Sequence, residues 1–520
     1  MKFALLFAAV VASQAPLPRI VQKDGRYALF VDGAPYLILG AQVNNSSAWP
    51  AMLPKVWPAI EVLAANTVEI PVYWEQFEPE PGRFDYSTVD TLLSQARAHH
   101  VRLVLLWFGT WKNGSQHYMP LWMKRDPERY PRIIGANGRP VDSPSPHAAA
   151  TLAADRHAFA ALMRHLKAAD PRRTVIMVQV ENEAGAWGSV RDYSPAAQKL
   201  FEGPVPDELL VALHKEGGSW TSVFGPDADE FFHAWSVAHF VGQVAAAGKA
   251  EYPLPLYTNA ALRDPLQPGK PGSYESGGPT DNVIPIWKAA APALDILAPD
   301  IYQNDPARYL KALELYGRPD NPLFVPETGS FAATARFFFA ALGRGAIGFA
   351  PFGIDYTGFS NAPLGATRLN EESLAPFALN YKLIGPIMRE IARLNFEGKL
   401  QTAVEQKDEH SQTLEFGPWK AVVSYGVPQF GFGRNPPGNP EPVGRALVAQ
   451  LADNQFLVAG FFCRVDFQIS HASDAASGKQ REYLRVEEGK SLRLWNGDQT
   501  DWGLNLSSAP QVLRVTLGTY

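Results

Sequence analysis

Eight short apolar runs between Tyr36 and Gly353 constrain the fold of this chain more than any other feature. They read YLILGAQ (36–42), TVEIPV (67–72), VRLVLLWF (101–108), TVIMVQVEN (174–182), PLPLYTN (253–259), LDILAPDIY (294–302), PLFVPET (322–328) and AIGFAPFG (346–353). Continuous Val/Ile/Leu runs with polar ends suit parallel strands covered on both faces. The segments between them, such as VWPAIEVLAAN, TVDTLLSQARAHH, ADRHAFAALMRHLKAAD and GSFAATARFFFAALGRG, repeat apolar residues every three or four positions, which predicts helices. Eight strand-then-helix units predict an α/β fold, a (β/α)8 TIM barrel. A doubly wound open sheet is the alternative, although no Gly-rich nucleotide fingerprint follows an early strand. Ahead of the barrel, IVQKDGRYALFVDGAPYLIL predicts a hairpin pair turning at Asp24-Gly25 and Asp32-Gly33.

After LIGPIMREIARLNFEG the period changes from helical to alternating, with Gly, Pro and Asn between short segments. This predicts a C-terminal antiparallel β-sandwich over 399–520, following a barrel over 16–398. GFGRNPPGNPEP (431–442) reads as a long loop inside the sandwich. The first residues, MKFALLFAAVVASQA, place one Lys before an apolar run and end in small residues. That is a signal peptide pattern over 1–15, too short to span a membrane, and it predicts export to a periplasmic or extracellular location. A formal net charge of -5 argues against nucleic acid or anionic lipid as partner. One cysteine, Cys463, excludes an internal disulfide and reads as a packed thiol. No His pair has metal-ligand spacing with a third ligand nearby, so neither metal nor cofactor is expected. Oligomeric state is left open.

In a barrel, functional groups gather at the C-terminal ends of strands. The fourth run closes in Glu181, Asn182 and Glu183, and the seventh closes in Glu327. Strands four and seven stand on roughly opposite sides of the ring, so Glu183 and Glu327 can face each other across its mouth. Two facing carboxyls are the apparatus of glycoside hydrolysis: one protonated to serve the leaving oxygen, the other ionised to attack or to activate water. An isolated Glu at a strand end more often caps a helix or pairs with a cation; the second acid, on a strand across the ring, favours chemistry. Glu181 is read as a buffering or structural acid.

Other candidates stand at the same end of the barrel. Gln42 and Asn44 follow strand one and can hydrogen-bond a sugar or cap a loop. Trp107, Trp111, Lys112 and Asn113 end strand three, where the indoles can wall a sugar or fill the core. Trp187 can floor an aglycone subsite, and Tyr302 can donate to a nucleophilic carboxylate. With 12% aromatic residues, the chain has material for both uses.

Three segments carry a family resemblance. VQVENEAG (178–185), IPVYWEQFEPEPGRFDYS (70–87) and FVPETGS (324–330) resemble, in order and spacing, the signatures of clan A glycoside hydrolases, and within them the family 35 β-galactosidases. The resemblance covers residues 20–400 and implies Glu183 as acid/base, Glu327 as nucleophile, and Asn182, Trp74 and Glu75 in the sugar site. It further implies a retaining double displacement that releases terminal β-galactose from oligo- or polysaccharide side chains. The chain departs from the pattern in three places: Glu75 for Asn, Phe77 for His, and Gly109-Thr110-Trp111 for Ala-Glu-Trp. Thr110 supplies no carboxylate to read the sugar's hydroxyls, a role that Glu75 is then expected to take. A different glycone, such as β-glucose or α-L-arabinopyranose, therefore stays open. So does a carbohydrate-binding protein on an inactive barrel.

Overall fold

The computed structural model describes residues 15–426, 437–470, 477–489 and 493–520. Residues 1–14 of the expected signal peptide lie outside them, as do residues 431–436 of the expected sandwich loop.

All eight apolar runs form strands of one closed parallel barrel. We label them β1 (Ile38–Gln42), β2 (Thr67–Tyr73), β3 (Arg102–Lys112), β4 (Val175–Asn182), β5 (Leu256–Ala261), β6 (Ile296–Ile301), β7 (Val325–Thr328) and β8 (Gly348–Pro351). Consecutive strands pair in parallel, and β8 closes on β1 through Gly348 opposite Ile38. Every residue of β2, β4, β6, β7 and β8 is buried, as expected for strands sandwiched between the barrel interior and a helical coat. The open-sheet alternative is therefore excluded. Before the barrel, Arg19–Lys23, Arg26–Val31 and Ala34–Tyr36 form a three-stranded antiparallel sheet. Its turns at Asp24-Gly25 (φ 51° and 72°) and Asp32-Gly33 (φ 55° and 80°) take the left-handed pair that the Asp-Gly signal demands.

The longest insertions follow β3 and β4, at the C-terminal end of the barrel. The first carries a small sheet, Arg132–Ile134 with Pro140–Pro144, before the helix Ala149–Ala169. The second holds three short helices before the helix Ala228–Glu251. Among the described residues no helix is long and apolar enough to cross a membrane.

From Leu400 onward two antiparallel sheets of six and four strands form the sandwich. Strand alternation splits the six-stranded sheet between two cores. Ala446, Val448, Phe456 and Val458 face the four-stranded sheet, while Leu447, Ala449, Leu457, Ala459 and Phe461 pack on the barrel. Each large side chain so buried contributes about 1.5–3 kcal/mol, so the sandwich is seated on the barrel by apolar contact. Arg445 adds a hydrogen bond to Asn380 (2.8 Å), and Arg514 an ion pair with Glu390 (2.7 Å). Cys463 is buried on its strand, and burial pushes its thiol up to about 12.

Candidate active site

Parallel strands deliver their C-terminal ends to one mouth, and there Glu183, just past β4, meets Glu327 of β7. A third carboxyl, Asp300 of β6, joins them; oxygens of all three lie within 4.8 Å of one another. Asp300 stands directly beside Glu327 in the strand pairing. Both Glu327 oxygens accept hydrogen bonds, one from Gln42 Nε2 (2.8 Å) and the other from the Tyr302 hydroxyl. Two donors converging on one carboxylate stabilise a negative charge there. Glu183 differs. Burial and the nearby charge of Glu327 lift its carboxyl to about 7, against the pull of Lys112 and a contact with Asp300.

The strand tip is strained. Glu181 (φ 63°) and Glu183 (φ 45°) both occupy the left-handed region, at a cost of roughly 1–3 kcal/mol each. A lattice of hydrogen bonds offsets that cost. Trp111 N donates to Glu181 Oε2 (2.7 Å), Asn113 N to Asn182 O (3.2 Å), Gly114 N to Glu183 O (2.9 Å), and Glu183 N to Asn259 Oδ1 (3.0 Å). The turn after β3 thus holds the end of β4. Gly114 (φ 66°) suits that turn: its backbone is left-handed, and a Cβ would crowd the Glu275 carboxyl and the Trp187 ring. Lys112 Nζ donates to Asn182 Oδ1 (2.8 Å), while Asn182 Nδ2 is buried without a partner, leaving amide hydrogens for a ligand.

Gln42, Tyr302, Asn182 and both catalytic candidates are therefore brought together. Trp187 lies 49% exposed beside the Gly114 turn, open to a ligand face. Five expectations need correction. Trp74, Trp107 and Trp111 are fully buried and cannot wall a sugar. Trp74 donates to Glu78 (2.7 Å), Trp107 to Asp155 (2.9 Å), and Trp111 packs edge-on against Phe240 of the helical coat. Asn44 is also held elsewhere: its backbone and side-chain nitrogens donate to Asp355 (2.9 and 3.0 Å), tying the loop after β1 to that after β8. Glu75 pairs with Lys124 (3.5 Å) at the rim instead of replacing a carboxylate at Thr110, which is itself bonded to Asp155. The aromatic face on the loop after β1 that is open to solvent is Trp49, 45% exposed.

Sequence reading passed over three polar groups. Asn259 closes the fifth apolar run and Asp300 lies just before the end of the sixth, a signal like the one that marked Glu183. Glu275, in a Gly-rich stretch read as a flexible rim, gave no such signal. It is buried with both oxygens unpartnered, and burial and the charge of Glu183 push its carboxyl well up. Deeper in the barrel Glu69 is buried too, accepts from Tyr257 (3.1 Å), and is held well above the carboxylate range by burial. Glu181 is structural as well as buffering: beyond its bond to Trp111 it faces Asp155, and burial with that neighbour pushes it well up. The Glu183–Asp300–Glu327 cluster has the spacing to admit a cation, but Gln42, Tyr302 and Asn259 already donate to three of its six oxygens. That donor set favours proton handling.

Residues 58–229 match the glycoside hydrolase family 42 model, described as beta-galactosidase, and residues 377–507 match DUF5597, a domain of unknown function. No curated protein sequence matches the chain. Among solved structures, the beta-galactosidase from Bacillus circulans sp. alkalophilus aligns with a TM-score of 0.50 at 15% identity, over 68% of this chain and 57% of that one. The cold-adapted beta-galactosidase from Rahnella sp. R3 aligns with a TM-score of 0.50 at 16% identity, over 72% and 59%. The chain spans less than two thirds of either structure, and likeness at this identity is one of fold. Over residues 58–229 the chain is thus similar to a glycoside hydrolase family. The finer resemblance to family 35 is not supported by this match, which is to family 42.

Proposed function

We propose that the protein is a retaining, exo-acting β-glycosidase that releases terminal β-galactose from oligo- or polysaccharide side chains. The observation that carries this reading is the contrast between two carboxyls whose oxygens approach within 4.8 Å. Glu327, its two oxygens held by donors from Gln42 and Tyr302, attacks the anomeric carbon. Glu183, lifted to about 7, protonates the departing oxygen and then takes a proton from the incoming water. Inverting enzymes keep their carboxyls roughly 6.5–9.5 Å apart to admit a water, so the close approach supports retention. The galactose glycone and the exo mode rest on the sequence resemblance and on the match over residues 58–229. Trp187 floors the aglycone side, and the free amide of Asn182 serves a hydroxyl beside the scissile bond. Export rests on the pattern of residues 1–15.

A second reading keeps the chemistry and changes the sugar. Thr110 spends its hydroxyl on Asp155, so β3 offers no carboxylate to a galactose hydroxyl, which favours β-glucose or α-L-arabinopyranose. Hydrolysis of a panel of p-nitrophenyl glycosides decides between them, with Glu183→Ala and Glu327→Gly beside wild type. Cleavage of the β-galactoside, with azide rescuing Glu327→Gly as α-galactosyl azide, establishes roles and glycone together. Preference for another sugar keeps the roles and overturns the glycone. A folded protein that cleaves nothing leaves a carbohydrate-binding barrel.

A further inference from the structure

The third carboxyl at the mouth has no part in a two-carboxylate mechanism, yet it is the most enclosed of the three. Asp300 is 3% exposed, and its Oδ2 accepts from Asn259 Nδ2 (2.6 Å). The same Asn259 accepts from the backbone N of Glu183 (3.0 Å), so one amide fixes both acids. Asp300 Oδ1 is buried and receives no donor hydrogen from the protein, and an oxygen of Asp300 lies within 4.8 Å of one of Glu183. Two carboxyls held this close, with no protein donor between them, are best reconciled by a proton on one of them.

We infer that Asp300 is a positioning residue that stays protonated and donates its O–H to Glu183, steadying the acid/base in its ionised form. This rests on the glycosidase reading for its catalytic meaning. Glu183 must alternate between acid and carboxylate, and in the glycosyl-enzyme it is the carboxylate that waits for water. A neutral donor stabilises that carboxylate, whereas an anion in the same place would oppose it. The proton never leaves Asp300, so the reaction's proton balance is unchanged.

The surroundings favour a neutral Asp300. It faces Glu327 from β7, Glu183 from β4, Tyr257 from β5, and Tyr302 along β6, with Tyr316 farther off. Against them, Lys112 from β3, already shared with Asn182, and the Asn259 amide pull toward ionisation. Burial first, and then the charge of Glu327, hold the Asp300 carboxyl well above the carboxylate range.

Two variants of the full chain, Asp300→Asn and Asp300→Leu, test this by two readouts. In the infrared, wild type at neutral pH shows a protonated carboxyl band that Asp300→Asn lacks. In the pH profile of kcat, Asp300→Asn keeps an amide donor and falls by no more than about 10-fold, with the alkaline limb near that of wild type. Asp300→Leu loses about 100-fold or more and moves that limb to higher pH, because Glu183 without its donor holds its proton harder. An absent infrared difference, or an alkaline limb that moves to lower pH in Asp300→Asn, overturns the inference and makes Asp300 an anion. If wild type cleaves no glycoside, the glycosidase reading falls, while the infrared difference still decides whether Asp300 carries the proton.

Discussion

Glu405 in the sandwich and Glu275 at the barrel mouth are both 1% exposed, yet their surroundings are opposite. Four N–H groups converge on Glu405: Asn439 N (2.7 Å), Asn439 Nδ2 (2.8 Å), Val443 N (3.0 Å) and Gly444 N (2.8 Å). Glu275 has none, and the acid it faces is Glu183. Burial alone therefore does not mark a functional carboxyl. In the sandwich the acid organises a loop by accepting every nearby donor. At the mouth, unpartnered and mutually repelling acids are kept neutral or are spent on chemistry. Glu69, Glu181 and Asp300 stand between the two, each with one oxygen bonded and the other buried without a donor.

Experiments on these side chains sharpen or break that contrast. The largest effect is expected at the reacting pair: Glu327→Gly lowers kcat/KM on the order of 10⁴-fold or more, while Glu405→Ala leaves it within a few-fold of wild type. Steady-state kinetics on an aryl β-glycoside checks both, and equal losses would erase the distinction. Glu183→Ala costs about 10²–10⁴-fold, least for aryl leaving groups that need no acid. Wild-type activity falls as pH rises through about 7, where Glu183 loses the proton it must donate, and the pH profile of kcat/KM tests that limb.

Stability comes next. Glu405→Ala strands four buried donors and lowers unfolding stability by about 3 kcal/mol, read by denaturant melts. Glu275→Gln acts in the other direction. The folded Glu275 binds its proton more tightly than the unfolded chain does, so its stabilising effect is full below the ordinary carboxylate range. It is lost as pH rises from that range toward the raised folded value. The amide has no proton to lose. Thermal midpoints of wild type and Glu275→Gln should nearly coincide in acid and separate with rising pH, the variant standing higher by about 1 kcal/mol. A variant that is less stable at all pH values would show that Glu275 has a partner after all. Smallest is Trp187→Ala, which changes stability by less than about 0.5 kcal/mol and raises KM for a saccharide leaving group a few-fold, with kcat nearly unchanged. An unchanged KM would remove Trp187 from the aglycone side.

The aromatic residues show where reading along the chain stops working. Trp107 and Trp111 sit at a strand end in an active-site sequence context, yet both point into the layer between strand and helix. Successive side chains of a strand alternate between faces, and only the closed ring decides which face is the interior. Trp49 and Trp187, which do reach solvent, lie on loops with no period to mark them. Glu75 went astray for the same reason: its partner Lys124 lies 49 residues onward, on an inserted helix.

What the sequence determined by itself was local. The eight barrel strands, the Asp-Gly turns and the change to alternating strands near residue 400 follow from spacing and backbone preference within a few residues, so they can be read without neighbours. Glu183 and Glu327 were legible too, because an acid closing an apolar strand is anomalous where it stands. Their neighbours were decided by closure of the barrel. Closure brings Asp300, Asn259 and Gln42 from three other strands within reach of the pair, and it folds Glu275 under the Gly114 turn. Whether a carboxyl is charged, neutral or shared depends on groups within a few ångströms in space, and only the tertiary structure sets those distances.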